Sequence, residues 1–141
     1  MPDDNELLFV YGSLRNPATR LELLKRPIEA SPARLPGYER RDGRYNFVVE
    51  RAGASTDGAI LEGLNPSDFA ILDAYEEVPQ LYTRDRVEVL APDGRHLECW
   101  IYLPTAGLRK SDRRGRSSLR FGRWLLGLIA ALQSKFVDSI L

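Results

Sequence analysis

The sequence has one cysteine and one histidine in 141 residues. The single Cys99 excludes an internal disulfide and a CxxC zinc site, and the single His96 excludes multi-histidine metal motifs such as HExxH. Basic and acidic residues balance at 20 each, so the net charge gives no reason to expect a nucleic-acid partner. The longest apolar run, residues 124–132, contains a glycine and is too short to span a bilayer.

What the chain does contain is an ordinary globular composition. Hydrophobic residues make up 43% and charged residues 28%, which fits one domain with a buried core. The first residues, MPDDNE, are acidic and polar and do not resemble a secretory signal, so we expect a cytoplasmic protein. Walker and GxGxxG motifs are absent, and no carboxylates cluster at metal-binding spacing.

Two helix starts are marked by the same dipeptide. Asn16 before Pro17, and Asn65 before Pro66, each predict an N-cap followed by proline at the first helical position. Strands are predicted where short apolar or alternating runs end at turn residues. These runs cover residues 6–11, 45–50, 58–64, 82–90 and 97–103. Residues 27–57, rich in proline and glycine, are predicted to form loops around short strands, of which residues 45–50 are one.

The last third of the chain differs in charge from the rest. Residues 1–104 carry 12 basic and 18 acidic groups, whereas residues 105–141 carry 8 basic and 2 acidic groups. We interpret residues 105–118 as a flexible basic linker and residues 119–141 as an amphipathic helix. Such a helix can cover the domain, pair with a second copy of the chain, or lie on an anionic membrane surface.

Two segments are candidates for chemistry. In Tyr11-Gly12-Ser13-Leu14 a strand ends in a turn before a helix, where consecutive N–H groups can converge on an anion. The same pattern also occurs as a plain connection.

The second candidate is the acidic end of the second helix, which contains Asp73, Glu76 and Glu77. A carboxylate facing a pocket would have a raised pKa and would be a usable general base. The alternative is a solvated helix face. Arg84 is expected in an ion pair, and Cys99 in the core.

Five short motifs occur in a specific order: FVYGSL, GAILEGL, LDAYE, LYTR and CWIYL. Together they resemble the gamma-glutamylcyclotransferase-like family, and most closely its small branch with the plant avirulence-induced proteins and the gamma-glutamylamine cyclotransferases. The resemblance covers residues 7–103. It implies an α+β fold in residues 1–104, a small mixed β-barrel flanked by short helices, to which the C-terminal amphipathic helix is an addition.

The resemblance also implies a reaction and its residues. The α-amine of a small γ-glutamyl substrate attacks its own γ-carbonyl, releasing 5-oxoproline and a free amine or amino acid. Glu76, rather than Glu77, is the implied proton acceptor, and no metal ion or organic cofactor is implied. The implied substrate-binding residues are Tyr11, Gly12, Ser13 and Leu14, which hold the α-carboxylate, with Tyr82 and Tyr102 nearby.

Two other interpretations remain open at this point. The same fold can be a non-catalytic module that binds a small carboxylate, because a fold does not establish an activity. Alternatively, the basic segment of residues 105–141 carries the function through a membrane surface, another protein or a second copy of the chain. The sequence does not identify the leaving amine.

Overall fold

The computed structural model describes residues 6–114, which form five strands and three helices. In chain order the elements are β1 (Glu6–Val10), α1 (Pro17–Leu24), β2 (Ala30–Asp42), β3 (Asn46–Leu64), α2 (Pro66–Tyr75), β4 (Tyr82–Leu90), β5 (His96–Pro104) and α3 (Ala106–Arg114). A single 3₁₀ turn, Ser13–Arg15, connects β1 to α1.

The strands close into a barrel in the order β1-β3-β2-β4-β5. β1 runs parallel to β5, with Leu8 opposite Trp100, and the other neighbouring strands are antiparallel. Because a closed barrel has no free edge, every strand has backbone hydrogen-bond partners on both sides. The mixed barrel with short helices that the resemblance implied is confirmed.

The proline- and glycine-rich segment of residues 27–57 is mostly strand, so its prediction as loops is wrong. β2 spans 13 residues and β3 spans 19, and the two pair along most of their length. The register shifts where Pro36 pairs with Ser55 but Tyr38 pairs with Glu50. Gly37 has a positive φ of 83° at this shift. The glycine therefore marks a β-bulge within a strand rather than the end of one.

Both predicted helix starts are confirmed. The Asn16 side chain accepts a hydrogen bond from the Ala18 N–H at 2.9 Å. At α2, the Asn65 side chain accepts from the Asp68 N–H at 2.8 Å, and the Asp68 carboxylate accepts from the Asn65 N–H at 2.9 Å. This reciprocal capping box satisfies two helix donors that would otherwise lack partners.

Alternate residues of β1 contribute to two core clusters. Leu8 and Val10 pack in a cluster that also contains residues of all three helices, whereas Phe9 belongs to one made of strand residues. Cys99 is fully buried in the second cluster, as predicted. A Cβ on Gly58 would lie 2.4 Å from the Val10 carbonyl oxygen, so only glycine lets β3 pack this closely against β1.

The interpretation of residues 105–118 as a flexible linker is wrong for residues 106–114, which form α3. Thr105 Oγ1 accepts from the Leu108 N–H at 3.2 Å and donates to the Gln80 carbonyl at 2.8 Å, so this helix start is tied to the barrel. Leu108 is fully buried. One buried leucine and one cap thus anchor a segment whose composition is basic and polar.

The remaining C-terminal predictions, for residues 115–118 and for a helix over residues 119–141, lie outside the described residues. Their suggested roles in membrane contact or self-association therefore stay predictions, as does the cytoplasmic location. Among residues 6–114, no helix has the length and hydropathy needed to cross a bilayer.

Candidate functional site

A cavity of about 220 Å³ lies beside the end of β1 and the C-terminal end of α2. It brings together all the site residues named from the sequence, although their roles in binding and catalysis stay predictions. These lining residues are Tyr11, Gly12, Ser13, Leu14, Glu76, Tyr82 and Tyr102. The cavity is also lined by residues that sequence reasoning did not select: Phe9, Val10, Arg44, Tyr45, Asn46 and Tyr75.

The turn after β1 presents backbone donors. The N–H groups of Arg15 and Asn16 donate to the carbonyls of Gly12 and Ser13 at 3.0 and 3.1 Å. The N–H groups of Ser13 and Leu14 start the 3₁₀ turn and have no acceptor within it. A Cβ on Gly12 would meet Asn46 at an ordinary 3.7 Å, so the protein leaves room beside this residue. The turn can therefore receive an anion along its backbone.

A buried arginine braces this turn. Arg20 in α1 is 4% exposed, and it donates at 2.9 Å to the carbonyls of both Leu14 and Arg15. Its other donors reach the Ile28 carbonyl at 3.2 and 3.1 Å. Burial lowers the pKa of the Arg20 guanidinium. Sequence reasoning missed this residue, and the signal that was present is an arginine on the apolar side of a short helix.

Glu76 caps the C-terminal end of α2, and its N–H donates to the Leu72 carbonyl at 2.9 Å. Burial raises the pKa of its carboxyl from 4.5 to about 8. No salt bridge to Glu76 forms within residues 6–114. A carboxyl group of this kind can both accept and return a proton near neutral pH. Glu76 is therefore not part of a solvated helix face.

The two carboxylates on either side of Glu76 differ from it. Asp73 is paired with Arg84, whose Nε donates to Asp73 Oδ1 at 2.9 Å, which confirms the ion pair expected for Arg84. Glu77 has a positive φ of 56°, and its Oε2 is buried without a hydrogen-bond partner in the described part of the chain. Burial raises the pKa of the Glu77 carboxyl as well.

The tyrosine hydroxyls of the cavity are held by the protein. Tyr11 donates to the Tyr102 carbonyl at 2.6 Å, and Tyr82 donates to the Asn46 carbonyl at 2.9 Å. Tyr102 donates to Asp73 Oδ1 at 2.7 Å. Burial first, and the charge of Glu76 to a smaller extent, raises the pKa of Tyr11 and Tyr102, and all three residues line the same cavity. The neutral phenols persist at physiological pH.

Tyr75 is the missed residue with the clearest signal, because it lies inside the LDAYE motif. Its hydroxyl is 2.9 Å from Ser13 Oγ, which connects the end of α2 to the turn after β1. The contact bridges the two segments that sequence analysis had singled out separately.

A second, larger cavity of about 420 Å³ lies on the other side of Asp73. Its charged residues are already paired within the protein, since Arg84 binds Asp73 and Glu6 binds Arg86. The Arg84 guanidinium also lies between the rings of Phe69 and Trp100, 4.6 and 4.5 Å from their centroids. Among residues 6–114, no group of three histidine, cysteine or acidic side chains could hold a metal ion.

Two curated proteins resemble the chain over about half of their own length. A gamma-glutamylcyclotransferase and putative RNase from Methanocaldococcus jannaschii is 30% identical over 99 residues, covering 68% of this chain and 45% of that protein. AIG2-like protein C from Arabidopsis thaliana is 35% identical over 89 residues, covering 61% of this chain and 51% of that protein.

Solved structures show the same fold. A solution structure from Arabidopsis thaliana has a TM-score of 0.68 at 23% identity, covering 97% of this chain and 89% of that one. A gamma-glutamyl cyclotransferase has a TM-score of 0.63 at 22% identity, covering 72% of this chain and 67% of that one. A family model described as gamma-glutamyl cyclotransferase, AIG2-like, matches residues 8–126. On that match, the chain belongs to the gamma-glutamyl cyclotransferase, AIG2-like family.

Proposed function

We propose that this protein is a γ-glutamyl cyclotransferase, which converts a γ-glutamyl compound into 5-oxoproline and a free amine or amino acid. The observation that carries the proposal is one small cavity lined both by the turn of Gly12, Ser13 and Leu14 and by Glu76. An anion-binding turn and a carboxyl with a pKa near 8 match the two ends of an amino-acid headgroup.

The reaction needs little from the protein beyond conformation and proton transfer. The α-amine of the substrate attacks the γ-carbonyl carbon, a C–N bond of the lactam forms, and the original amide C–N bond breaks. Both reacting groups belong to one molecule, so holding the bent conformer replaces a bimolecular encounter. The N–H groups of the turn hold the α-carboxylate, which fixes the amine on the adjoining carbon beside Glu76.

Glu76 carries the proton. At neutral pH the α-amine is an ammonium group, which has no lone pair for attack. Glu76 accepts one proton from this group, and the attacking nitrogen loses a second proton as the lactam C–N bond forms. The departing nitrogen takes up both protons and leaves as an ammonium group. Glu76 delivers one of them, so the carboxylate is restored at the end of the cycle. General acid–base catalysis of this type contributes roughly 10²- to 10⁴-fold to the rate.

The tyrosines suit an ammonium group. The hydroxyl protons of Tyr11 and Tyr102 are donated to the Tyr102 carbonyl and to Asp73. Towards a ligand these hydroxyl oxygens therefore act as acceptors, and an ammonium group supplies three donors. This arrangement supports an amine, rather than a second anion, next to Glu76.

The test compares two neighbouring carboxamide variants. Glu76→Gln is expected to lower 5-oxoproline release from γ-glutamyl-alanine by at least 10²-fold, because the proton carrier is lost. Glu77→Gln is expected to retain most of the activity, and circular dichroism checks that both variants fold. Wild-type turnover in Glu76→Gln would disprove the proposed role of Glu76. If the wild-type protein binds γ-glutamyl-alanine but releases no 5-oxoproline, it is a binding module.

A further inference from the structure

In the described part of the chain, the cavity has only two charged residue types in its lining, and they differ in exposure to solvent. Of the residues in 6–114 that line it, Arg44 is the one basic residue and Glu76 the one acidic residue. Arg44 is exposed and lies in the turn between β2 and β3, whereas Glu76 lies at a half-buried helix end. Arg44 is two residues from Asn46, whose side chain lies beside Gly12. A ligand held by the Gly12 turn therefore lies in the same cavity as Arg44, which is an exposed residue of the lining.

The glutamyl part of the substrate is bound by the groups of the cavity other than Arg44. Its α-carboxylate is assigned to the N–H groups of the turn and its α-ammonium to Glu76 and the tyrosine oxygens. What is left is the leaving group. If that group is an amino acid or a peptide, it carries a second carboxylate, and if it is a simple amine it does not. A guanidinium fork is the side chain best suited to a carboxylate, because it can donate two parallel hydrogen bonds.

The form of the cavity supports this placement. The cavity opens to solvent, and Arg44 is an exposed residue of its lining. A leaving group that extends from the glutamyl part towards solvent can therefore reach Arg44.

We propose that Arg44 binds the carboxylate of the leaving group, an inference that rests on the proposed function. The protein then prefers γ-glutamyl amino acids or peptides to γ-glutamyl amines. Arg44 is a specificity-determining residue in this proposal. It takes no part in proton transfer, so its loss changes KM rather than kcat.

The test uses two substrates that differ by one carboxylate. γ-Glutamylethylamide is γ-glutamyl-alanine without the alanine carboxyl group. Arg44→Gln is expected to raise KM for γ-glutamyl-alanine about tenfold, the loss of one charge-assisted hydrogen-bonded pair, and KM for γ-glutamylethylamide less than twofold. The matched control is Arg41→Gln, because Arg41 is a similarly exposed arginine that pairs with Glu39 at 3.1 Å and is not part of the cavity lining.

Calorimetric binding of the same two compounds to the Glu76→Gln protein, with and without Arg44→Gln, separates recognition from turnover. Selective loss of γ-glutamyl-alanine binding in the Arg44→Gln protein supports the role of Arg44. If the wild-type protein forms no 5-oxoproline, that result overturns the proposed function but not the role of Arg44 in binding. An equal loss for both compounds would assign Arg44 to the glutamyl headgroup and overturn the inference. No loss for either compound would overturn it as well.

Discussion

The two ends of α2 are built differently. At the N-terminal end, Asn65 and Asp68 exchange hydrogen bonds, and Arg26 adds an ion pair to Asp68. At the C-terminal end, Glu76 is buried without an ion-pair partner among the described residues, and Glu77 has a left-handed backbone and a buried oxygen without a hydrogen bond. One end satisfies its polar groups, whereas the other contains a buried carboxyl oxygen, Oε2 of Glu77, that has no hydrogen-bond partner in the described part of the chain.

The difference indicates which end serves stability and which serves chemistry. A buried polar group without a partner costs free energy, and folds retain such groups mainly at functional sites. The C-terminal end of α2 is also the one that lines the 220 Å³ cavity, through Tyr75 and Glu76. Substitutions at the two ends should therefore have opposite effects on the free energy of unfolding, and only those at the C-terminal end should affect turnover.

The largest effect is expected from Glu76→Gln, measured as the free energy of unfolding in urea at pH 5 and pH 8. The folded protein raises the pKa of Glu76 from 4.5 to about 8, so the native state binds this proton more tightly than the unfolded chain. Wild-type stability therefore falls as pH rises through this interval, with the full loss present above pH 8.

The glutamine variant lacks this titration and should be more stable than the wild-type protein by about 2–4 kcal/mol at pH 8, with a much smaller difference at pH 5. Glu62→Gln, at an exposed position of β3, is the control for the loss of one acidic side chain. Equal stability of Glu76→Gln and wild type at both values of pH would show that the carboxyl is well solvated.

Local sequence signals predicted the start of α2, but not the reciprocal hydrogen bond of Asp68 or its ion pair with Arg26. An asparagine before a proline specifies a cap with neighbouring residues only, and both Asn16 and Asn65 behave as such signals require. The identity of the acidic residue at the other end came from the family resemblance. Its burial depends on β1 and on the turn after it, which are more than 60 residues away in the chain, so composition and spacing alone left a solvated face open.

Other features could not be predicted because their partners are distant or their residue types are atypical. The pairing of β2 with β3 places prolines and a bulge glycine inside long strands, where local rules favour loops. Arg20 is buried only because four backbone carbonyl contacts converge on it after folding. α3 is anchored by Leu108 and Thr105, two residues in an otherwise polar segment.

A smaller effect is expected at the satisfied end. Asn65→Ala removes the acceptor for the Asp68 N–H and should lower the free energy of unfolding by about 1 kcal/mol. Because the change is confined to the first turn of α2, kcat and KM for γ-glutamyl-alanine should stay within twofold of wild type. Urea unfolding and steady-state kinetics measure the two quantities. Asn65→Asp preserves a capping oxygen and should retain most of the stability, whereas a loss of turnover in Asn65→Ala would mean that both ends of the helix serve the cavity.

The smallest effect is expected for Glu77→Gly, which should raise the free energy of unfolding by less than about 1 kcal/mol, because glycine adopts a positive φ without the Cβ clash of other residues. Lys25 offers a matched control, since it has nearly the same backbone, with a φ of 61° against 56° for Glu77, and is exposed at the end of α1. Lys25→Gly reports the backbone contribution alone.

The gain in the free energy of unfolding should be larger for Glu77→Gly than for Lys25→Gly, and the difference measures the cost of the unpaired carboxyl oxygen. This difference should grow with pH because burial raises the pKa of Glu77. Equal gains at every pH would show that the left-handed turn, and not the buried carboxyl, is what the C-terminal end of α2 sacrifices in stability.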